Sequence, residues 1–261
     1  MSSPHHRSSE PTPASEHARN VLVTGASRGI GRAIATTFAE NGDRVIVHYG
    51  TRREEAEHTL AHLPGEGHAL LQADLADPEA TADLITRAVA LVDHLDILVN
   101  NAAVNLPHPI AETSYTDWQD LWRRTMDVNV FGAANVTHLA ARHMIDRSIA
   151  GRIVNVGSRG AHRGEPDHPA YGASKAALHS LGQSLAVALA PYGIGVASVA
   201  PGFVETERVA HRLTDVVRAD SPFGRVASPE EVAAAVLHLA SPRALWSSGA
   251  VLDVNGASHL R

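Results

Sequence analysis

From Asn20 onward, short runs of Val, Ile and Leu alternate with longer stretches in which apolar residues recur every three or four positions. Brief, uniformly apolar runs are the pattern of strands buried on both faces, and the longer stretches that of helices with one apolar side. Strands are expected at Val21 to Thr24, Arg44 to His48, His68 to Gln72, Leu95 to Asn100, Gly151 to Gly157, Gly195 to Ala200 and Ala250 to Asp253. Helices are expected at 30–41, 53–62, 78–92, 117–146, 171–191 and 229–240. Pro78 and Pro229 fall in first turns, where a missing N–H is tolerated. This alternation predicts an α/β fold, a doubly wound sheet of about seven parallel strands joined by right-handed crossovers and flanked by helices.

Two stretches break the pattern. Residues 1–19 are rich in Ser, Pro, His and Glu, have no periodicity, and are expected to be a disordered tail ahead of one domain over 20–261. The segment from Phe203 to Arg225, after the sixth strand, mixes polar, charged and short apolar residues. Long irregular insertions at the carboxyl ends of strands commonly cover a site, so 203–225 is expected to be a substrate flap.

Composition narrows the function classes. Hydrophobic residues make up 44% of the 261 residues and aromatic ones only 4%, so aliphatic side chains must fill the core. A formal charge of −6 with no dense basic run gives no footprint for nucleic acid or for an anionic membrane. No apolar stretch reaches the roughly eighteen residues that span a bilayer, and the N-terminus lacks a signal-peptide core, so a cytoplasmic enzyme is expected. The absence of cysteine excludes disulfides, thiolate catalysis and thiolate metal ligands. Among seventeen histidines, His58 and His62 share a helix face, but no third ligand is evident and no metal is expected.

The candidate chemistry begins at Thr24-Gly25-Ala26-Ser27-Arg28-Gly29-Ile30-Gly31, which follows the first strand and opens the first helix. Glycines here allow a tight turn, close approach of a pyrophosphate to backbone, and contact between helix and sheet. The spacing is Gly-x-x-x-Gly-x-Gly, with no Gly-Lys-Ser/Thr ending, which excludes a nucleoside-triphosphatase loop. The expected fold is therefore a single-domain Rossmann-like one, with Gly25, Ser27, Arg28, Gly29, Ile30 and Gly31 at the cofactor.

A second constellation lies further on. Ser158 closes the fifth strand, and Tyr171 and Lys175 stand four residues apart, hence on one helix face. Lys175 is the sole lysine against twenty-one arginines, which suggests a position needing a compact ammonium.

These residues carry a resemblance to the short-chain dehydrogenase/reductase family, and within it to 3-oxoacyl-acyl-carrier-protein reductase-like members. Thr24 to Gly31 matches its Thr-Gly-x-x-x-Gly-Ile-Gly element. Asp74-Leu75, Asn100-Asn101-Ala102-Ala103, Asn129 in Asp127 to Gly132, Ser158 thirteen residues before Tyr171-x-x-x-Lys175, and Pro201 to Thr206 match further motifs in order. One position departs, with Ala103 where the family has Gly. The resemblance covers about 20–260 and implies hydride exchange between a nicotinamide dinucleotide and a carbonyl or secondary alcohol.

It implies roles as well. Tyr171 would act as general acid/base, with Lys175 stabilising its phenolate and holding the nicotinamide ribose. Ser158 would orient the carbonyl, and Asn129 would position a water that resupplies the proton. Asp74 and Leu75 would contact the adenine, Asn101 and Ala102 would line the cofactor, and Pro201, Gly202, Val204 and Thr206 would fix the nicotinamide.

For the cofactor, Tyr49 stands at the end of the second strand where NAD-using relatives usually carry Asp, and Arg52 and Arg53 follow. With Arg28 these favour NADP(H) over NAD(H), since guanidinium pairs well with phosphate. The alternative is that Arg52 and Arg53 only begin a solvated helix beside Glu54 and Glu55. Arg159, Arg163 and Glu165 could recognise a polar or anionic substrate, such as a phosphopantetheine- or carboxylate-bearing ketone, or pair with one another. His162 and His168 could line the entrance or decorate a loop.

Leu139, Met144, Leu178, Leu181 and Leu185 are too many to face one sheet, and the resemblance implies that these helices pair across a two-fold axis, so a homodimer or homotetramer is expected, with 223–227 and 251–260 contributing to a second interface. Two other functions remain open: an NAD-dependent dehydrogenase of a sugar, polyol or steroid-like alcohol, and a dinucleotide-binding regulatory protein without turnover.

Overall fold

A strand buried on both faces must place every backbone N–H and C=O in a ladder, because no water reaches it. Seven runs form one sheet, its five inner strands paired on both edges, in the computed structural model, which describes residues 18–207 and 214–260. They are β1 (Asn20–Val23), β2 (Arg44–Tyr49), β3 (Ala69–Gln72), β4 (Ile97–Asn100), β5 (Arg152–Val156), β6 (Gly195–Pro201) and β7 (Val251–Val254). All pair in parallel, in the order β3-β2-β1-β4-β5-β6-β7. Each matches an expected strand, with ends displaced by one or two residues.

Successive side chains leave a strand on opposite faces, and the core divides accordingly. Val21, Val23, Val45, Val47, Ile97, Val99, Val154 and Val156 point to one side, and Leu22, Ile46, Leu98 and Ile153 to the other. The first side is covered by α1 (Gly29–Glu40), α2 (Arg53–Ala61) and a late helix over Pro229–Leu239. The second is covered by α3 (Pro78–Val92) and by helices over Ala133–Asp146 and Pro169–Leu189. Asp77 caps α3 by accepting from Glu79 N (2.9 Å) and Ala80 N (3.3 Å), with Pro78 in the first turn as expected.

The helix expected over 117–146 is three segments in the structure. Helix α4 (Tyr115–Met126) passes into a π-helical turn at Asp127–Gly132 and then α5 (Ala133–Asp146). Amphipathic spacing cannot reveal a π turn, because the extra residue per turn only rotates the face that follows. Here the rotation leaves Val128 and Asn129 buried. Helix α6 (Pro169–Leu189) starts two residues before the expected 171, with Pro169 in its first turn. Short α7 (Asp215–Ala219) and α8 (Pro229–Leu239) complete the set.

The flap expected at 203–225 is closed at its base by a bridge between Val204 and Ala227, with Glu205 N donating to Ala227 O (2.9 Å) and Ala227 N to Phe203 O (3.1 Å). Its residues 208–213 lie outside the described residues, as does 1–17 of the expected tail. Arg19, also assigned to the tail, is held by Asp43 through two bonds of 2.8 and 2.6 Å. The apolar helix residues need partial reassignment as well. Met144 and Leu178 are buried within the chain, and Leu139 and Leu185 pack against the core, whereas Phe131 (58%) and Val187 (78%) stand exposed.

Candidate active site

Strand β1 has β2 on one side and β4 on the other, so the crossovers leaving β1 and β4 diverge and open a crevice above their carboxyl ends. The glycine loop turns there. Gly25 sits at φ +63°, where a Cβ would come within 2.7 Å of Ala102 Cα. A Cβ at Gly31 would collide with the Gly25 carbonyl and approach Asn101 Nδ2 to 2.5 Å. Thr24 Oγ1 accepts from Asn101 N (2.9 Å) and Ala102 N (3.1 Å), and Asn101 Nδ2 donates to the carbonyls of Thr24 and Gly25 at 2.9 Å. The loop is thereby fixed to the segment after β4, and the first-turn N–H groups of α1 are presented at the crevice.

The crevice is a cleft of about 540 Å³. All the cofactor contacts expected from the sequence line it except Tyr49, which follows Val45 and Val47 onto the opposite, core side of β2. Gly50, Thr51 and Arg52 line it instead at that end, together with Arg28. Arg52 donates to Glu55 (2.9 Å) and Arg53 to Glu57 (2.7 Å), so both arginines do pair along α2; the backbone N–H of Glu55 itself, and then the Arg52 bond, hold the Glu55 carboxyl below its usual range. Asp74 accepts from Arg124 of α4 at 3.3 Å.

At the other end, Ser158, Tyr171 and Lys175 line the cleft together. Lys175 is 2% exposed; its Nζ donates to the Val156 carbonyl (2.7 Å) at the end of β5 and lies 5.7 Å from the Tyr171 ring centroid. Ser158 Oγ accepts from Gly160 N (3.0 Å), which uses a lone pair and leaves its O–H as a donor. Asn129 does not line the cleft. Its amide is engaged with Val104 in both directions, at 2.8 and 2.9 Å, and donates to Ser174 Oγ (3.0 Å), which donates to the Tyr171 carbonyl (2.7 Å).

The charges of the loop after Ser158 do not pair with one another. Arg159 and Arg163 do not pair with Glu165; both reach Asp220 beyond α7, at 3.2 and 3.1 Å. His162 and His168 do not line the cleft: His162 stacks on His179 (centroids 5.2 Å), and His168 is buried at the start of α6. On α2, His58 and His62 stack on each other at 4.1 Å. Among the described residues no helix is long and apolar enough to cross a membrane.

The chain matches the family model described as enoyl-(acyl carrier protein) reductase over residues 25–259. It is 38% identical to the cis-4-hydroxycyclohexanecarboxylate dehydrogenase of Sinomonas cyclohexanicum, across 91% of this chain and 95% of that one. The chain belongs to the short-chain dehydrogenase/reductase family. The L-rhamnose 1-dehydrogenase (NAD(P)(+)) of Sphingomonas sp. (strain SKA58) is a further family relative, 34% identical over 93% of this chain and 96% of its own length. The solved structure of ElxO with NADP bound superposes with a TM-score of 0.83 at 29% identity, covering 93% of this chain and 99% of that one. The family's members among these relatives are dehydrogenases and reductases, and this chain is an oxidoreductase of the same family.

The cleft of this family member fits a dinucleotide on its own geometry: a glycine loop that admits no side chain, a helix N-terminus, arginines at one end and Lys175 at the other. Sequence reasoning missed one residue that shapes it, His48. It is 1% exposed, accepts from Gly25 N at Nδ1 (3.1 Å) and donates from Nε2 to Ala73 O (3.1 Å), so it ties the glycine loop to the end of β3 as a neutral imidazole. His108 works similarly, accepting from Ala170 N (3.1 Å) one residue before Tyr171.

Burial lowers the His48 pKa from 6.5 to about 4. The unfolded chain therefore binds a proton that the folded one refuses within this window, and stability rises with pH there. Urea midpoints should show full stability above pH 6.5 and a loss of about 3 kcal/mol from this group as pH falls to 4. His48→Gln should flatten that part of the profile; an unchanged slope refutes the assignment.

Proposed function

We propose that this chain exchanges hydride between NADP(H) and a carbonyl or secondary alcohol, with Tyr171 as general acid/base. The observation that carries this reading is the meeting of Ser158, Tyr171 and buried Lys175 in the same cleft as the glycine loop. When bound, the nicotinamide supplies or takes up the hydride. In the reducing direction negative charge develops on the substrate oxygen, and Tyr171 O–H gives it a proton while Ser158 O–H donates a hydrogen bond to it. The Lys175 ammonium favours the phenolate left behind, and its bond to Val156 O aims it. Asn129 clamps Val104 and, through Ser174, the turn that carries Tyr171; in this reading a water near Asn129 returns the proton by way of Lys175.

Preference for NADP(H) rests on Arg28 and Arg52 at the adenosine end and on the lack of an acid at the end of β2. Glu55 already neutralises part of Arg52, and a 2′-phosphate would compete with it for the guanidinium. Two relatives are named as dehydrogenases of L-rhamnose and of cis-4-hydroxycyclohexanecarboxylate, which supports oxidation of a cyclic alcohol as a second reading of substrate and direction. A homodimer or homotetramer is part of the proposal, with Tyr115 (76%), Phe131 and Val187 exposed on the helical side and Phe223 (76%), Trp246 (99%) and Leu260 (79%) elsewhere.

Three measurements test this. Tyr171→Phe should lower kcat by at least about a hundredfold while cofactor binding, followed by fluorescence, persists; retained turnover refutes the role. Titration of both cofactors against β-keto esters, acyl thioesters, sugars, hydroxycycloalkane carboxylates and cyclic ketones should give the lower KM with NADPH. Replacing Arg28 or Arg52 by Ala should erode that margin, and a lower KM with NADH at equal turnover sinks the preference. Light scattering should report a dimer or tetramer, and a monomer would overturn the assembly.

A further inference from the structure

We propose that Arg159 is the anion-recognising wall of the substrate site, and that the preferred substrate bears a carboxylate apart from its reacting carbon. The inference rests on the hydride-transfer reading of the same cleft. Arg159 directly follows Ser158 and lines the cleft with Ser158 and Tyr171, yet its side chain is only 6% exposed. A guanidinium so placed cannot shed its charge and must be compensated where it stands.

Its recorded partners occupy one edge. Nη1 donates to Ser258 Oγ (2.6 Å), Nη2 to Asp220 Oδ2 (3.2 Å), and the guanidinium carbon lies 5.0 Å from the Phe203 ring centroid. Asp220 and Ser258 do not line the main cleft. They line a second cavity of about 230 Å³ behind it, to which Arg159 and Phe203 also belong. Arg159 is thus the partition between the two cavities, tethered from the rear. Of the five N–H groups of an arginine, the two bonds to Ser258 and Asp220 use two, leaving donors for a ligand in the main cleft.

The charge count agrees. Among the described residues Asp220 is the sole acid paired with Arg159, and the same Oδ2 also takes Arg163 at 3.1 Å, so one carboxylate oxygen serves two guanidiniums. Among the described residues, the charged groups lining the reacting end are Arg159, Lys175 and Glu165, two cations against one anion. Glu165 lies against the catalytic loop, where a Cβ at Gly160 would come within 2.8 Å of its Oε1, and it pairs with neither Arg159 nor Arg163. A substrate carboxylate would balance the excess through charge-assisted bonds to the guanidinium.

The test compares matched pairs that differ only in charge: cis-4-hydroxycyclohexanecarboxylate and 3-hydroxybutyrate, each against its carboxamide, with the corresponding ketones in the reverse direction. The wild-type protein should favour the acids in kcat/KM by at least about tenfold. Arg159→Gln should bring the acid-to-amide ratio near one, Arg159→Lys should restore part of it, and Asp220→Asn, which removes a competing carboxylate, should raise it. A purely structural Arg159 would lower both members of each pair together and leave the ratio unmoved. If Arg159→Gln fails to fold, the wild-type ratio and the Asp220→Asn shift decide. A wild-type ratio near one, or turnover confined to neutral alcohols and ketones, overturns this inference and leaves the reaction standing; no turnover of any alcohol or ketone with either cofactor overturns the reaction and the inference with it.

Discussion

The bond from Lys175 Nζ to the Val156 carbonyl sets the geometry of this molecule's reacting end. It joins the one ammonium side chain of the protein, buried on α6, to the last residue of β5. Because the strand then leaves the sheet, Ser158 arrives two residues later at the same level. Because a helical turn is about four residues, Tyr171 lies one turn before the lysine on the same face. One short contact between a helix and a strand end therefore fixes the relative positions of three groups that chemistry needs together. An ammonium buried in a low-dielectric site needs hydrogen-bond partners, and the Val156 carbonyl is one that also aims the side chain.

A second layer of contacts holds the cofactor end. Thr24, Asn101 and His48 bind the glycine loop from three sides, using strand-end residues of β1, β4 and β2. None of these bonds is strong alone, but they satisfy backbone groups of the turn at Gly25 and of the segment after β4 that lie outside any regular ladder. The π turn serves the same end from the helical side, rotating Asn129 inward to hold Val104 and Ser174. The segment after β6 is held differently: Arg159 and Arg163 donate to Asp220, Arg159 and Arg163 also reach Ser258, and Ser221 donates to the Gly256 carbonyl. The loop after Ser158, Asp220 and Ser258 thus meet at the Arg159 guanidinium.

What the sequence by itself determined is whatever depends on neighbours along the chain. Buried strands show as apolar runs, helices as periodic ones, and Gly25-x-x-x-Gly29-x-Gly31 and Tyr171-x-x-x-Lys175 carry their geometry within a single turn. Seven strands, one sheet and the glycine turn were legible for that reason, whereas Asp74, Leu75, Asn101, Ala102 and Pro201 to Thr206 came from the family resemblance, and lining residues such as His48, Thr51 and Leu106 were not legible. The inward aim of Tyr49 was legible too, through its alternation with Val45 and Val47, had the period of two been applied to the end of β2. Tertiary structure alone decided the partners of charged and polar side chains. Arg159 finds Ser258 ninety-nine residues away and Asp220 sixty-one away, and His48 closes on Ala73 across a strand pair. Such pairings depend on which loops the folded sheet brings side by side, and no local period encodes them. The π turn falls in the same class, since an inserted residue changes a helix's facing without changing its apolar spacing enough to announce itself.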